Sequence, residues 1–178
     1  MRRSKELTGK RIISLDRGKD LGVVKDVYFD ANLSQVSGLF LGHLGRFLPH
    51  LTMRGGKKSR LIPRNPIMLF GEDTILVTES DIVTDNSQHQ AAKAWIRRDR
   101  VQGRLISTPG GTKVGTIDDV LIDQEGIVQG FLLSYLYLQG PISHTFTIMR
   151  DAVLTIGSVG EPITVDLAKA EQQSLAQL

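Results

Sequence analysis

Gly9–Leu41 and Gly103–Leu133 spell out one pattern twice, and this duplication limits the possible folds more than any other feature of the chain. The first stretch reads GKRIISLDRGKDLGVVKDVYFDANLSQVSGLFL and the second GRLISTPGGTKVGTIDDVLIDQEGIVQGFLL. Gly9 pairs with Gly103, Gly22 with Gly115, Asp26 with Asp119, Val27 with Val120, Asp30 with Asp123 and Gly38 with Gly130. The Gly9, Gly22, Asp26 and Gly38 pairs are offset by 94, 93, 93 and 92 positions, a drift that changes in loop length leave in a duplicated unit. A residue type found at only one of two equivalent positions then belongs to that copy and not to the fold.

Each copy predicts six short strands. In the first they fall at 11–15, 21–30, 36–41, 59–62, 67–69 and 74–78. In the second they fall at 104–107, 114–123, 128–137, 145–148, 153–156 and 163–165. β-branched runs separated by Gly, Asn and Asp turns are hairpin signals, and Pro63 and Pro66 belong at strand ends. Small antiparallel barrels satisfy this pattern. Between the copies, SQHQAAKAWIRRD is rich in helix formers, with Ala92, Trp95 and Ile96 at helical spacing. This predicts a linker helix over 85–99 with its apolar stripe on a barrel. The tail, DLAKAEQQSLAQL, predicts a C-terminal helix capped by Asp166. The expected organisation is a first barrel over 1–84, a linker helix over 85–99, a second barrel over 100–168 and a helical tail over 169–178. The fold class is all-β with minor α.

The duplicated residues resemble the PRC-barrel family. Its signature is seen in LGVVKDVYFD (21–30) and VGTIDDVLID (114–123), and again in GLFL (38–41) and GFLL (130–133). Ile62-Pro63 fits the end of the fourth strand, whereas the second copy has Ile148-Met149 there. The family takes its name from a domain of the photosynthetic reaction-centre H subunit and includes the C-terminal domain of the ribosome-maturation factor RimM. The resemblance implies tandem barrels that act as binding modules, with no shared chemistry. It also implies a photosynthetic, notably cyanobacterial, source.

Composition narrows the chemistry. The chain has 178 residues and no cysteine, so disulfides, thiolate metal sites and cysteine nucleophiles are excluded. No apolar run approaches the ~18 residues of a spanning helix. MRRSKELTGK lacks the apolar core of a signal peptide, and a cytoplasmic location, peripheral at most to a membrane, is expected. Residues 1–84 carry a net charge of +5 and residues 85–178 carry −2, which makes the first half the better match for an acidic partner.

Several motifs have two readings. Asp26 with Asp30, and Asp119 with Asp123, could serve acid–base or cation chemistry. Four residues along a strand, however, separate two carboxylates by about 13 Å, which favours a structural role such as turn capping. GGTKVG (110–115) has phosphate-loop glycines but runs into a strand, which favours a hairpin. His43, His50, His89 and His144 form no HExxH, and only the first two share a loop. No nucleophile elbow is present, so neither catalysis nor a cofactor is expected.

The copies differ most between their third and fourth strands. HLGRFLPHLTMRGGKKSRLIPR (43–64) is basic and contains no acid, and SYLYLQGPISHTF (134–146) is aromatic and nearly uncharged. Arg46, Phe47, Arg54, Lys57, Lys58 and Arg60 in the first, with Tyr135 and Tyr137 in the second, are the candidate partner-binding residues. A grip on an acidic protein, RNA phosphates or anionic lipid is open for the basic loop, as is a solvated flap. Leu136, Leu138 and Ile142 belong either to an exposed patch or, in alternation, to the core. The expected function is a non-catalytic adaptor or assembly factor linked to a photosynthetic membrane complex. A ribosome- or RNA-associated role is the alternative, and apolar helix stripes and strand edges fit a homodimer.

Overall fold

The computed structural model describes residues 1–42, 60–85 and 90–176. Its elements in chain order begin with β1 (Arg2–Arg3), β2 (Arg11–Ser14), β3 (Asp20–Phe29), β4 (Val36–Gly42) and β5 (Arg60–Pro63). They continue with β6 (Ile67–Phe70), β7 (Thr74–Val77), β8 (Thr84–Asp85), β9 (Ile96–Arg97) and α1 (Arg98–Val101). β10 (Leu105–Ser107), β11 (Lys113–Ile122), β12 (Val128–Leu136), α2 (Ile142–Thr145) and β13 (Thr147–Met149) follow. β14 (Val153–Thr155), β15 (Ile163–Val165) and α3 (Leu167–Leu175) close the chain.

The strands form two curled sheets. The first has the order β6-β7-β2-β3-β4-β5-β8, and the second the order β13-β12-β11-β10-β15-β14. Read from the other end, the second repeats the first strand for strand, apart from β8. Each sheet contains one parallel pair, β2 with β7 and β10 with β15. Even the irregularities recur. The bulge between Ile12 and Ile13 matches that between Ile106 and Ser107, and the bulge at Val24/Asp26 matches that at Ile117/Asp119. Fully buried Ile12, Val27 and Phe29 in one sheet answer to Ile106, Val120 and Ile122 in the other.

The two halves exchange arms. β3 and β11, ten residues each, are too long for their short neighbours β2 and β10 to cover. The remaining edge of β11 is taken by β1, with Arg2 opposite Ile122 and Arg3 opposite Leu121. The remaining edge of β3 is taken by β9, with Ile96 opposite Phe29 and Arg97 opposite Tyr28. Each arm thus precedes one sheet in the chain and completes the other. Pairing closes two strand edges that would otherwise present free N–H and C=O groups.

The duplicated aspartates receive these arms. Asp119, 1% exposed, accepts from Ser4 Oγ at 2.6 Å and from Lys5 N at 3.2 Å, with Arg3 Nε 3.6 Å away. Arg3 also pairs with Asp118. Asp26 Oδ2 accepts from Arg97 Nη2 at 2.6 Å and Nε at 3.0 Å, and this bond to the carboxylate raises the pKa of the guanidinium. Each aspartate also accepts from the next backbone N–H, Val27 or Val120.

A second seam joins the hairpin turns. Val36 N donates to Gly126 O, and Val128 N donates to Ser34 O, both at 2.8 Å, placing Gln35 directly across from Ile127. Arg64 Nη2 donates to Glu125 O, and its counterpart Arg150 donates from Nε to Leu33 O at 3.2 Å. Each half therefore holds the other's turn with an equivalent arginine. Phe70 lies so close to Gly126 that a Cβ there would fall 2.4 Å from its ring, and Gly126 has φ +81°. Both facts require glycine at that position. Within each half, Lys10 and Arg104 reach the same turn, Lys10 to Gly71 O and Arg104 to Glu161 O. Burial lowers the Arg104 pKa, against the opposing charge of Glu161.

The linker departs from the expected helix over 85–99. Gln90–Ala94 is a short 3-10 turn and Ile96–Arg97 is extended, while residues 86–89 lie outside the described set. Trp95 stacks into the space left by Gly38, where a Cβ would meet its ring at 2.6 Å. The tail helix forms as expected from Leu167, with the Asp166 carboxylate accepting from Lys169 N at 3.1 Å. It packs on its own half by Ala170 and Ser174 and is held by Gln173 Nε2, which donates to Asp151 Oδ1.

Asp119→Ala strands the Ser4, Lys5 and Val120 donors and is expected to cost about 2–3 kcal/mol in urea unfolding. Asp26→Ala, whose arginine partner is half exposed, is expected to cost about 1 kcal/mol. The bond from Gln173 holds the Asp151 carboxyl below its ordinary value of 3.8, aided by Lys169. A depressed carboxyl contributes stability above its unfolded pKa and loses it as the pH falls through the folded one. Protection of the α3 amides, relative to their intrinsic exchange at each pH, should therefore fall only below about pH 4, and less so in Gln173→Ala.

Candidate functional site

Among the described residues, the most exposed aromatic surface lies where β11 and β12 leave the barrel end. Along β12, Phe131 and Leu133 are buried, and Tyr135 emerges at 58% exposure where the sheet has no further cover. Tyr137, 50% exposed, is anchored through its N–H to Val114 O at 2.9 Å. The two rings meet edge to face with centroids 4.8 Å apart. Such a contact holds both side chains in place before any partner arrives. Gly115 permits this register, since a Cβ there would lie 2.7 Å from Tyr135 O. Lys113 Nζ sits 5.9 Å from the Tyr137 ring centroid and supplies the local positive charge.

The rest of 134–146 divides between surface and core. Leu136 and Leu138 are partly buried, and Ile142 is 2% exposed because α2 turns it inward. Phe146 ends α2 with φ +51°, a conformation rarely taken by an aromatic residue. Two backbone bonds hold it there, Phe146 N to Ile142 O and Leu133 N to Phe146 O. The stretch is therefore part surface and part core, with the tyrosines outside and Leu136, Leu138 and Ile142 inside, although Ile142 is placed there by a helix and not by the strand.

Of the basic candidates, Arg46, Phe47, Arg54, Lys57 and Lys58 lie outside the described residues. Arg60 is half-buried on β5 and donates from Nη2 to Leu21 O at 2.8 Å. Arg64 is committed to the seam. Neither is brought beside Tyr135 and Tyr137, which lie in the other sheet.

The remaining motifs have structural assignments. Asp30 Oδ1 accepts from Ser34 N and Gln35 N, and Asp123 Oδ1 accepts from Glu125 N and Ile127 N, so both cap hairpin turns. Asp26 and Asp119 receive the exchanged arms, a role visible in the sequence only if the repeat is extended back to Arg3 and Arg97. GGTKVG is a hairpin, with Gly111 N donating to Thr108 O before β11 begins. His43, His50 and His89 lie outside the described residues, and His144 is exposed on α2. Among the described residues no group of three His, Asp or Glu converges, and no helix is long and apolar enough to cross a membrane.

Comparison with known proteins supports the first half of this picture. No curated protein matches the chain. Among protein-family models, the PRC-barrel domain matches residues 1–82, the span that contains β1 to β7. Residues 1–82 are thus similar to the PRC-barrel domain.

Proposed function

We propose that the chain is a non-catalytic adaptor, built from two PRC-type barrels, that docks a protein partner of a larger complex. The observation that carries this reading is the Tyr135–Tyr137 pair, two half-exposed aromatic rings held against each other beside Lys113. Pre-ordered exposed tyrosines are typical anchors of protein interfaces, because they bury large area at little entropic cost. The identical strand order of the second sheet supports reading it as a second barrel of the same kind. The resemblance to the reaction-centre H subunit directs the proposal to assembly or regulation of a photosynthetic membrane complex. The basic residues Arg46, Arg54, Lys57 and Lys58 would add electrostatic steering toward an acidic or membrane-bound partner.

Affinity purification with the full chain and with two variants tests this reading. The Tyr135→Ser/Tyr137→Ser variant should lose the protein partner, with at least a tenfold drop in affinity if each ring contributes about 1–2 kcal/mol. Circular dichroism should be unchanged, because both rings are on the surface. The variant with Arg46, Arg54, Lys57 and Lys58 changed to Glu should slow association. If it instead sheds copurifying RNA, and that RNA is also lost with rising salt, the ribosome-associated role replaces the adaptor.

A further inference from the structure

The seam between the halves carries two recesses related by the duplication. One is lined by Gln35, Ser37, Pro63, Arg64, Asn65 and Trp95. The other is lined by Ile127, Gln129, Met149, Arg150, Asp151 and Ala176, among others. Gln35 answers to Ile127, Ser37 to Gln129, Pro63 to Met149, Arg64 to Arg150 and Asn65 to Asp151. Gln35 and Ile127 are also direct partners across the turn-to-turn bridge. The flanking bonds run from the residues on either side of them, which makes this a non-hydrogen-bonded antiparallel pair whose side chains share one face. Both recesses therefore open on the same side of the molecule.

The linings have diverged in chemistry. In the first recess Arg64 donates to the carbonyls of Ile67 and Glu125 and makes no ion pair among the described residues. No acid lines that recess, and Asn65 and Gln35 add exposed amides. The second recess instead includes an acid, Asp151, bound by Gln173 and Lys169, while Ile127, Met149 and Ala176 supply apolar wall. Ile127 is 37% exposed. One side attracts a carboxylate and the other an aliphatic group.

We propose that this face binds a short extended peptide segment, with an acidic side chain in the Arg64–Trp95 recess and an aliphatic one in the Ile127–Met149 recess. Ser37 and Gln129 lie two residues along opposite strands from the bridging pair. At a rise of about 3.4 Å per residue they are on the order of 14 Å apart. An extended peptide covers this span in about four residues, and positions i and i+4 fall on the same face. The motif is therefore an acid followed or preceded at four positions by Leu, Ile or Met. The site is separate from the tyrosine surface and stands or falls independently of it.

The test is a titration of the ¹⁵N-labelled full chain with the peptide Ser-Ser-Glu-Ser-Gly-Ser-Leu-Ser-Ser. The chain has one tryptophan, so Trp95 gives a single indole N–H resonance. Saturable shifts of that resonance and of the Gln35 and Gln129 side-chain amides are expected. Binding should weaken at least fivefold when Glu is replaced by Lys, when Leu is moved to two positions after Glu, and in Asn65→Asp or Ile127→Glu, both changes at exposed positions. Tyr135→Ser/Tyr137→Ser should bind the peptide unchanged. Absence of shifts at Trp95, equal binding of the Lys peptide, or insensitivity to both seam variants overturns the proposal.

Discussion

Two buried carboxylates, Asp26 and Asp119, decide how this chain is put together. Each sits on the long central strand of its sheet, where its neighbour strand has run out, and each accepts an arm from the other half. A carboxylate at 1% exposure is costly unless its oxygens are satisfied. One oxygen of each is met locally by the next backbone N–H, and the other finds its partner only when the two halves lie together. The same contact thus meets the electrostatic need of the aspartate and the hydrogen-bonding need of the open strand edge. The turn-to-turn bridge and the two equivalent arginine clamps then fix the halves at a second point.

This joining explains which parts of the duplication stayed alike. Residues that build a sheet recur, as do residues that make the seam: Arg3 with Arg97, Leu7 with Val101, Asp26 with Asp119, Arg64 with Arg150. What differs lies at the barrel ends and in the seam recesses. There one half offers tyrosines and aliphatic wall, and the other offers basic and amide groups. A shared frame with unlike surfaces suits a protein that holds different groups at fixed separation.

Much of this was legible in the sequence. All six strands of each copy appear within two residues of the expected boundaries or better, because their alternation and turn residues are local properties. Asp30 and Asp123 were readable as turn caps for the same reason. The two-residue strands β1, β8 and β9 carry no periodicity and exist only through their partners. The Ala- and Gln-rich linker favours helix by propensity, yet Ile96–Arg97 is drawn into the open edge of β3 and Trp95 into the gap over Gly38. Tertiary pairing overrides a weak local preference there. Tyr135 and Tyr137 were recognisable as candidates from their uncharged setting. The burial of Ile142 was one of two open readings, but the helix α2 that buries it was not legible, since that turn packs against α3.

The exchanged arms also impose an order on the birth of the molecule. Arg2 and Arg3 are synthesised about 120 residues ahead of their partners, and their place on β11 does not exist until Ile122 has been made. At about 5–20 residues per second, that delay is on the order of ten seconds. During it the end of β3 also waits for Ile96 and Arg97. The β3 edge of the first sheet therefore closes as soon as Arg97 is made, while the arm of Arg2 and Arg3 dangles until Ile122 follows. Ribosomal output, not only sequence, thus sets the order: the first sheet can be whole while the strand it owes the second still has no edge to join.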